Sequence, residues 1–600
     1  MTERFLGYCD TYDYDDILTY LLNICSKCIN VVIIMCGIIC EICYSNSVTP
    51  KVYNDRTILK RIKNRGPDCV NTTEINSDGG IRIFFCGAVL WMQGQELTPQ
   101  PVESDVGILL YNGDIFDESW NESVSDTMII MNKLPPKTET NAKEHIIAQL
   151  KLLKGPFSII YYDKHMQDLY FTRDRIGRNS LLFHKMDNYI AISNVLDRRY
   201  NCVEVPATHI YCLNIKTNKV TLHSWASNET ENYFIEDLYE TFQKQQNIPD
   251  EDFKVESEIS RELWVEDDLI EFLRATSKNN DGHMKMMETL LSHPTIITTV
   301  RRLTELLQRS VKIRLKRQPN KCKNCLISRE NSCSHCTIGV LFSGGLDCTI
   351  LAYLAHRYVS EEQSIDLINV AFKKDSMASY DVPDRLTGKQ SFEELKTLCP
   401  TRKWNFIEVN VPKEELEEFQ MKTIADLVFP RKTILDESLG SALWFASRGQ
   451  AGDSTSPCRV LLLGSGADEL FGGYKRHYNA FKRHSWPGLS EELLLDWKRI
   501  SFRNLARDNR VICDHGRQPR MPYLDEEFTD YVLNLKPWLK CFPSDDFGPG
   551  IGDKLMLRLV AFNVGLRNVV TLPKRALQFG SRIANKKEKG SDLSSRFLNT

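Results

Sequence analysis

The segment Leu341–Cys348, with the sequence LFSGGLDC, restricts the fold of this chain more than any other. It follows an apolar, partly β-branched run at 338–342 that predicts a strand, and the residues at 349–358 favour a helix. The two glycines let the backbone approach phosphate oxygens, while the amides and dipole of the helix N-terminus favour the negative charge. The segment therefore predicts a phosphate-binding turn in a parallel α/β domain, with an ordinary polar βα turn as the alternative.

A second predicted strand, at 459–464 (RVLLLG), runs into the sequence SGADELFGGY at 465–474. Asp468 and Glu469 thus come just after the carboxyl end of a strand, where parallel α/β sheets bind ligands. Carboxylate oxygens are ligands for magnesium, and we expect Asp347 and Asp468 to share one Mg²⁺ ion. If no metal binds, the same acids would only cap their helices.

These two segments resemble the ATP-pyrophosphatase domain of the asparagine synthetase family, in which ATP activates a carboxylate as an acyl-adenylate and ammonia displaces AMP. The pattern continues in NLARDNR (504–510), RMPYLD (520–525) and LPKR (572–575), and it covers about 296–585. The resemblance implies a doubly wound parallel sheet, and it implies that Lys574 stabilises negative charge on the adenylate and pyrophosphate. The residues that it assigns to ATP binding are Leu341, Ser343, Gly344, Gly345, Asp347, Cys348, Gly464, Ser465, Gly466, Asp468 and Glu469.

The amino-terminal third resembles the other half of such enzymes, a class II glutamine amidotransferase. MCGI at 35–38 matches the start of that domain, where Cys36 would be an N-terminal nucleophile activated by its own α-amine. The resemblance implies an αββα sandwich of the Ntn type, so we expect an α/β protein with this sandwich preceding the parallel sheet.

Three further motifs of the amidotransferase pattern would bind glutamine. Arg65 in RGPD would hold the substrate carboxylate with its planar guanidinium, and Asp126 would bind the substrate amino group. In YNGDIF (111–116), Asn112 and Gly113 would form the oxyanion hole. Each motif alone also suits a plain turn, but together they follow the order of the family.

The first 35 residues do not fit this pattern. They are acidic and rich in tyrosine, unlike a signal peptide, and the apolar run at 31–40 is too short to span a bilayer. Cys36 can be an N-terminal nucleophile only if everything before it is absent, and initiation at Met35 with methionine removal would achieve this. We interpret the extension as an alternative start or a gene-model artefact.

We expect the chain to divide into four regions. They are the extension at 1–35, the amidotransferase domain at 36–226, a charged connector at 227–295, and the asparagine synthetase domain at 296–600 with a cysteine-rich insertion at 321–337.

The cysteines favour a reducing compartment. Nineteen of them occur in 600 residues without a cleavable signal, which is typical of reduced thiols or metal ligands in a cytoplasmic protein. Cys322, Cys325, Cys333 and Cys336 form two C-x2-C pairs that predict a closed structural zinc site. The alternative is free cysteines on an insertion, because the loop between the pairs is short.

Charge and composition limit the partners. Lys and Arg number 76 against 79 Asp and Glu, so the net charge is −3 and neither nucleic acid nor an anionic membrane is expected as a partner. With 42% hydrophobic residues the chain can bury two cores. The expected partners are small molecules, namely glutamine, aspartate and ATP.

Several departures from the family pattern bear on activity. Ser465 stands where aspartate-using members carry a glutamate, Cys348 replaces the last serine of the phosphate turn, and Asn64, Asp114 and Phe116 are also unusual. We predict ATP- and glutamine-dependent formation of asparagine from aspartate, slow or absent in the natural chain.

Two alternatives to this activity stay open. One is a catalytically degenerate, ATP-binding member with a binding or regulatory role. The other is a tRNA-thiolating PP-loop enzyme, which the near-neutral charge and the amidotransferase motifs disfavour.

Overall fold

The computed structural model describes residues 37–597, apart from 46, 67, 78, 136–140, 247–266, 279–281, 329, 331, 376, 549 and 585–587. The extension at 1–35 and the predicted nucleophile Cys36 lie outside the described residues.

The amino-terminal part is a sandwich of two antiparallel sheets. The first has the strand order β10-β8-β9-β1-β3-β2 and the second β13-β12-β11-β7-β6-β5-β4. These strands are β1 (Gly37–Cys43), β2 (Cys69–Ser77), β3 (Ile81–Val89), β4 (Val102–Glu103), β5 (Gly107–Gly113), β6 (Phe157–Asp163), β7 (Asp168–Arg173), β8 (Leu182–Met186), β9 (Tyr189–Ser193), β10 (Cys202–Glu204), β11 (His209–Asn214), β12 (Lys219–Ser224) and β13 (Thr230–Phe234). Its helices are α1 (Arg56–Arg65), α2 (Asp126–Lys133), α3 (Ala142–Lys151) and α4 (Ile235–Gln246).

Strand β1 shows why this part forms four layers. Its side chains alternate between the two faces of the sheet. Ile38, Cys40 and Ile42 pack against the second sheet, while Ile39 and Cys43 pack with apolar residues of α1. Helices α2 and α3 cover the outer face of the second sheet in the same way, so the αββα arrangement is confirmed.

The described parts of the expected connector at 227–295 pack with both halves of the molecule, and the boundary at 226 stays a prediction. Strand β13 pairs with β12, and α4 packs its apolar face onto the core between the two antiparallel sheets. Two helices, at Asp268–Ser277 and His283–Leu291, belong instead to the carboxy-terminal core. The charged residues of the segment did not indicate this packing, because each element buries only one face and leaves the other exposed.

The carboxy-terminal part is built on a parallel five-stranded sheet with the order β16-β15-β14-β19-β20. Its strands are β14 (Ile338–Leu341), β15 (Ile365–Phe372), β16 (Trp404–Val411), β19 (Val460–Leu462) and β20 (Gln518–Arg520), and a short hairpin adds β17 (Gln450–Ala451) and β18 (Ser454–Thr455). The helices are α5 (Asp268–Ser277), α6 (His283–Leu291), α7 (Pro294–Lys316), α8 (Lys323–Ile327), α9 (Leu346–Ala355), α10 (Pro383–Leu398), α11 (Lys413–Phe419), α12 (Ala425–Val428), α13 (Ile434–Arg448), α14 (Ala467–Phe471), α15 (Lys475–Ile500), α16 (Ala506–Cys513), α17 (Glu526–Leu533), α18 (Leu555–Asn563) and α19 (Leu577–Gly580).

Helices cover both faces of this sheet, as a doubly wound fold requires. Helices α7, α9 and α18 pack on the face that carries Val340, and α12, α13 and α16 pack on the face that carries Leu461. The strand order reverses between β14 and β19, so the loops after these strands diverge and leave a crevice. Among the described helices, none combines the length and the apolar content needed to cross a membrane.

Candidate functional site

A cavity of about 360 Å³ lies at the carboxyl ends of β14 and β19. This volume is within the range of about 300–1,000 Å³ that is typical of small-molecule sites. Every residue predicted to bind ATP lines it except Gly344, and Lys574 lines it as well. Further lining residues, from the NLARDNR motif and the turn before it, are Arg503, Asn504, Leu505, Arg507 and Asp508.

The glycines of the two loops are required by close packing. Gly344 has φ +77°, and a Cβ atom there would lie 2.5 Å from the backbone nitrogen of Gly388. Gly466 has φ +94°, and its Cβ would lie 2.4 Å from Cδ2 of Leu524. Any larger residue would therefore displace the loops that border the cavity.

A partly buried cluster of two acids and two lysines lies between the loops, and Lys554 is its buried member. Lys554 Nζ lies 2.6 Å from Asp347 Oδ2 and 2.7 Å from Asp468 Oδ1, and Lys574 Nζ lies 2.6 Å from Asp468 Oδ2. Burial would raise the pKa of Asp468, but the two ammonium groups hold it well below its usual value. Burial likewise opposes the charge on Lys554, yet the two carboxylates raise its pKa above the usual range. Asp468 and Lys554 are therefore both charged at neutral pH.

The acidic pair fits the magnesium ion expected from the sequence. Asp347 Oδ1 is buried and makes no hydrogen bond to any residue that the structure describes. Because one ammonium group contacts both Asp347 and Asp468, both carboxylates are able to reach one cation. Oxygen donors of this kind suit Mg²⁺.

Two further acids at the cavity have raised pKa values. Glu469 accepts hydrogen bonds from the Tyr474 hydroxyl at 2.7 Å and from Asn504 Nδ2 at 3.0 Å, and burial, with the charge of Asp468, raises its pKa to about 7. Burial raises the pKa of Asp384 to about 7, although Arg575 and Lys574 oppose this. Groups that titrate near neutrality are suited to proton transfer.

Sequence reasoning missed both Lys554 and Asp384. Asp384 follows Pro383 in the first turn of α10. An acid at this position is typical of any helix N-terminus, so it did not indicate a functional site. Lys554 precedes an apolar helix, and nothing in its neighbourhood points to Asp347, 207 residues away. Its only local signal is a lysine at the edge of an apolar run.

Ser465 lies in the loop after β19, whereas Cys348 lies in the first turn of α9. Ser465 lines the cavity. Cys348 is buried, its thiol donates to the carbonyl oxygen of Gly345 at 3.3 Å, and burial raises its pKa. The thiol therefore contacts its own loop.

A second group of predicted residues meets at the end of α1 and β5. Arg65 is buried, and its Nη2 donates to Asn112 Oδ1 at 3.4 Å and to Asn509 Oδ1 at 3.0 Å. The carbonyl oxygen of Asn112 accepts from Asn179 Nδ2 at 2.8 Å. The structure thus joins Arg65 and Asn112, which the sequence predicted, to Asn509, which it did not.

Gly113 and Asp126 line a separate small cavity of about 20 Å³, the size of about one water molecule. Asp126 accepts hydrogen bonds from the Tyr111 hydroxyl at 2.8 Å and from the amide of Thr127 at 2.9 Å. Burial, followed by the charge of Asp114, raises its pKa to about 7. The described residues of this group are closely packed and leave little open space.

Comparison with known proteins gives the family. A family model described as asparagine synthase matches residues 330–489 and 482–584. An asparagine synthetase domain-containing protein of Drosophila melanogaster is 40% identical over 93% of this chain and 100% of its own length. The chain belongs to the family of asparagine synthetase domain-containing proteins. The human asparagine synthetase domain-containing protein 1 is 32% identical over 94% of this chain and 97% of its own length, and a relative from Saccharomyces cerevisiae is 29% identical over 89% of each.

Within this family member, two departures from the amidotransferase pattern lie at the contact between sandwich and parallel sheet. Asp114 is fully buried and pairs with Arg520 through hydrogen bonds of 2.9 and 3.0 Å. The Phe116 ring lies 5.2 Å from the guanidinium of Arg520 and 4.5 Å from that of Arg314. Both side chains therefore stabilise the contact between the two halves of the molecule.

The cysteine group differs from its prediction in one member. The donor atoms of Cys322, Cys325, Cys333 and His335 all lie within 4.8 Å of one another. Cys336 is outside this group, because its thiol is buried next to β14 and donates to the carbonyl oxygen of Ile338 at 2.8 Å. The fourth member expected from the C-x2-C pattern is thus replaced by the neighbouring histidine.

Proposed function

We propose that this family member binds ATP and Mg²⁺ in the cavity between β14 and β19, where the side-chain carboxylate of aspartate attacks the α-phosphate of ATP, forming an acyl-adenylate and releasing pyrophosphate. Ammonia then attacks the acyl carbon and AMP leaves, which gives asparagine. The observation that carries the proposal is the convergence of the phosphate turn, Asp347, Asp468 and two lysines at the point where the strand order reverses.

The roles of the residues follow from their charges. Gly345, Asp347 and Cys348, at the start of α9, line the cavity, and the amide groups of a helix N-terminus favour phosphate oxygens. A Mg²⁺ ion on Asp347 and Asp468 would neutralise charge on the nucleotide phosphates. Lys574 and Lys554, which contact these acids, would stabilise the charge that develops on pyrophosphate.

The amide-forming step is expected to be slow. A serine hydroxyl such as that of Ser465 is able to accept a hydrogen bond but is not a general base near neutral pH, and a well-placed general base is worth about 10²–10⁴ in rate. Glu469, with its pKa of about 7, is the cavity acid best able to take a proton from the attacking amine.

Glutamine is the proposed source of ammonia. Cys36 would be the nucleophile, Arg65 would hold the glutamine carboxylate, and Asp126 its amino group. Asn112 and Gly113 would donate to the oxyanion. The contact between Arg65 and Asn112 supports this grouping.

The second candidate function is ATP binding without turnover, in a binding or regulatory role. The replacement of the family's glutamate by Ser465 favours it, as does the inward-turned thiol of Cys348.

The test measures AMP and asparagine together, with aspartate, Mg²⁺-ATP and ammonia as substrates. Calorimetry of Mg²⁺-ATP binding on Asp347→Asn and Asp468→Asn accompanies it, with the exposed Asp187→Asn as control. We expect affinity to fall in both cavity variants and to persist in the control. Formation of AMP and asparagine in equal amounts supports the ligase, and ATP binding without formation of AMP supports the second candidate function. Unchanged affinity for Mg²⁺-ATP in both cavity variants contradicts both functions.

A further inference from the structure

The cysteine-rich insertion holds three thiols and one imidazole around a common point. Sγ of Cys325 lies 3.2 Å from Nδ1 of His335, and Sγ of Cys333 lies 3.8 Å from the same atom. Cys322 completes the group, whose donor atoms are all within 4.8 Å of one another. We propose that Cys322, Cys325, Cys333 and His335 bind one structural Zn²⁺ ion, independently of the function proposed above.

The backbone is arranged to hold thiolates at this point. The amide of Cys322 donates to Sγ of Cys333 at 3.2 Å, and the amide of Cys325 donates to Sγ of Cys322 at 3.4 Å. Hydrogen bonds of this kind orient ligating sulfur atoms and stabilise their negative charge. The side chains of Cys322 and Cys325 are fully buried, so thiolates at these two positions would need a cation close by.

The donor set selects the metal. Three sulfur atoms and one imidazole nitrogen make a closed tetrahedral set, which is a Cys₃His zinc site. Magnesium and calcium prefer oxygen donors, and an open catalytic zinc site would have only three protein ligands. The nearest carboxylate, Glu330, is exposed and accepts from the Cys325 thiol at 3.2 Å, and it is not needed to complete the set.

The location of the site indicates what the ion would do. His335 lies just before β14, and Lys323 lies between Cys322 and Cys325. The amide of Lys323 donates to the carbonyl oxygen of Pro457 at 3.0 Å, just before β19, and its Nζ donates to the carbonyl oxygen of His515 at 3.1 Å, just before β20.

The insertion therefore joins the starts of three neighbouring parallel strands. The opposite ends of β14 and β19 carry the loops of the 360 Å³ cavity. A zinc ion at the starts would fix the insertion and support the register of these strands without contacting the cavity ligand.

The test uses the full chain, purified without chelator, and has two readouts. Metal analysis should find about one zinc per chain, and exchange with Co²⁺ should give the absorption of a tetrahedral site with thiolate ligands. Cys333→Ser and His335→Ala should each retain the metal at least about tenfold less well against a chelator.

Two matched controls decide the ligand assignment. Cys336→Ala removes the cysteine that the C-x2-C pattern favoured but leaves the observed group of four ligands intact. Glu330→Gln removes the carboxylate that contacts the Cys325 thiol. Both should retain zinc at the wild-type level while His335→Ala does not. Loss of zinc from Glu330→Gln with retention in His335→Ala would overturn the ligand set, and wild-type protein with no zinc and no thiolate–Co²⁺ absorption would overturn the site.

Discussion

Arg65 donates a hydrogen bond of 3.0 Å to Asn509, although 444 residues separate them in the chain. Arg65 ends the first helix of the sandwich, and Asn509 lies in α16, directly after Arg507 and Asp508, which line the 360 Å³ cavity. Helix α16 thus contacts both groups of predicted functional residues. Arg510, the residue after Asn509 in this helix, also forms an ion pair with Glu204 of the sandwich.

Removal of this contact should destabilise the protein. In Asn509→Ala, the buried guanidinium of Arg65 loses one acceptor, and a hydrogen bond to a charged group contributes about 1.5–3 kcal/mol. We expect the thermal unfolding midpoint to fall by several degrees, with little change for the exposed Asn71→Ala. Equal midpoints for the two variants would show that the contact does not stabilise the interface.

Lys554→Met should destabilise the protein in a pH-dependent way. The depressed pKa of Asp468 contributes stability above pH 3.8, and the raised pKa of Lys554 contributes below pH 10.5, so both contributions are complete at pH 7. Without the shared ammonium group, the two partly buried acids repel each other, and this repulsion weakens at low pH.

We expect the loss in Lys554→Met to be about 3–5 kcal/mol at pH 8 and smaller at pH 5. Unfolding curves at both pH values measure it, with the exposed Lys482→Met as control. A loss that stays the same at the two pH values would contradict the charge cluster as its cause.

Glu469→Gln tests the raised pKa of Glu469. The folded-state pKa of about 7 is above the ordinary value of 4.5. The contribution of Glu469 to the free energy of unfolding is therefore complete below pH 4.5 and is lost as the pH rises through about 7. The wild type should therefore lose about 3 kcal/mol relative to the Gln variant between pH 4.5 and 8. Urea unfolding at several pH values checks this, and exposed Glu491→Gln should show no such trend.

Ser465→Glu should raise asparagine formation from aspartate, ATP and ammonia by about tenfold or more, because it supplies a proton acceptor at the cavity. Ser465→Gln is the matched control, similar in shape but unable to accept the proton. If both substitutions lower the rate equally, the missing base is not at this position. A wild-type rate of about 1 per second or faster would also contradict the predicted weakness.

Cys36→Ala, in a chain that begins at Cys36, should abolish glutamine-dependent synthesis and spare synthesis from free ammonia. The reason is that only glutamine hydrolysis uses the thiol nucleophile. Asparagine formed from each nitrogen source is the measurement. Parallel loss with both sources would contradict separate sites for the two reactions.

The fold class and both cavity loops followed from local sequence. An apolar strand, a turn with glycines and a helix start are encoded within about ten residues, and the parallel order then places the ends of β14 and β19 side by side. The αββα layers followed from resemblance, and the alternating burial along β1 explains them.

Only the tertiary structure determines which residues meet across long separations in the sequence. Lys554 contacts Asp347 and Asp468, and Asn509 contacts Arg65. Asp384 lines the cavity, although no spacing in the sequence predicts that it does. At the cysteine insertion, the pattern favoured Cys336, yet β14 buries that thiol and leaves His335 facing the other ligands. Sequence periodicity determines which face a side chain occupies within its own element, whereas packing between elements determines which group lies opposite, because charge and burial are satisfied only in the assembled fold.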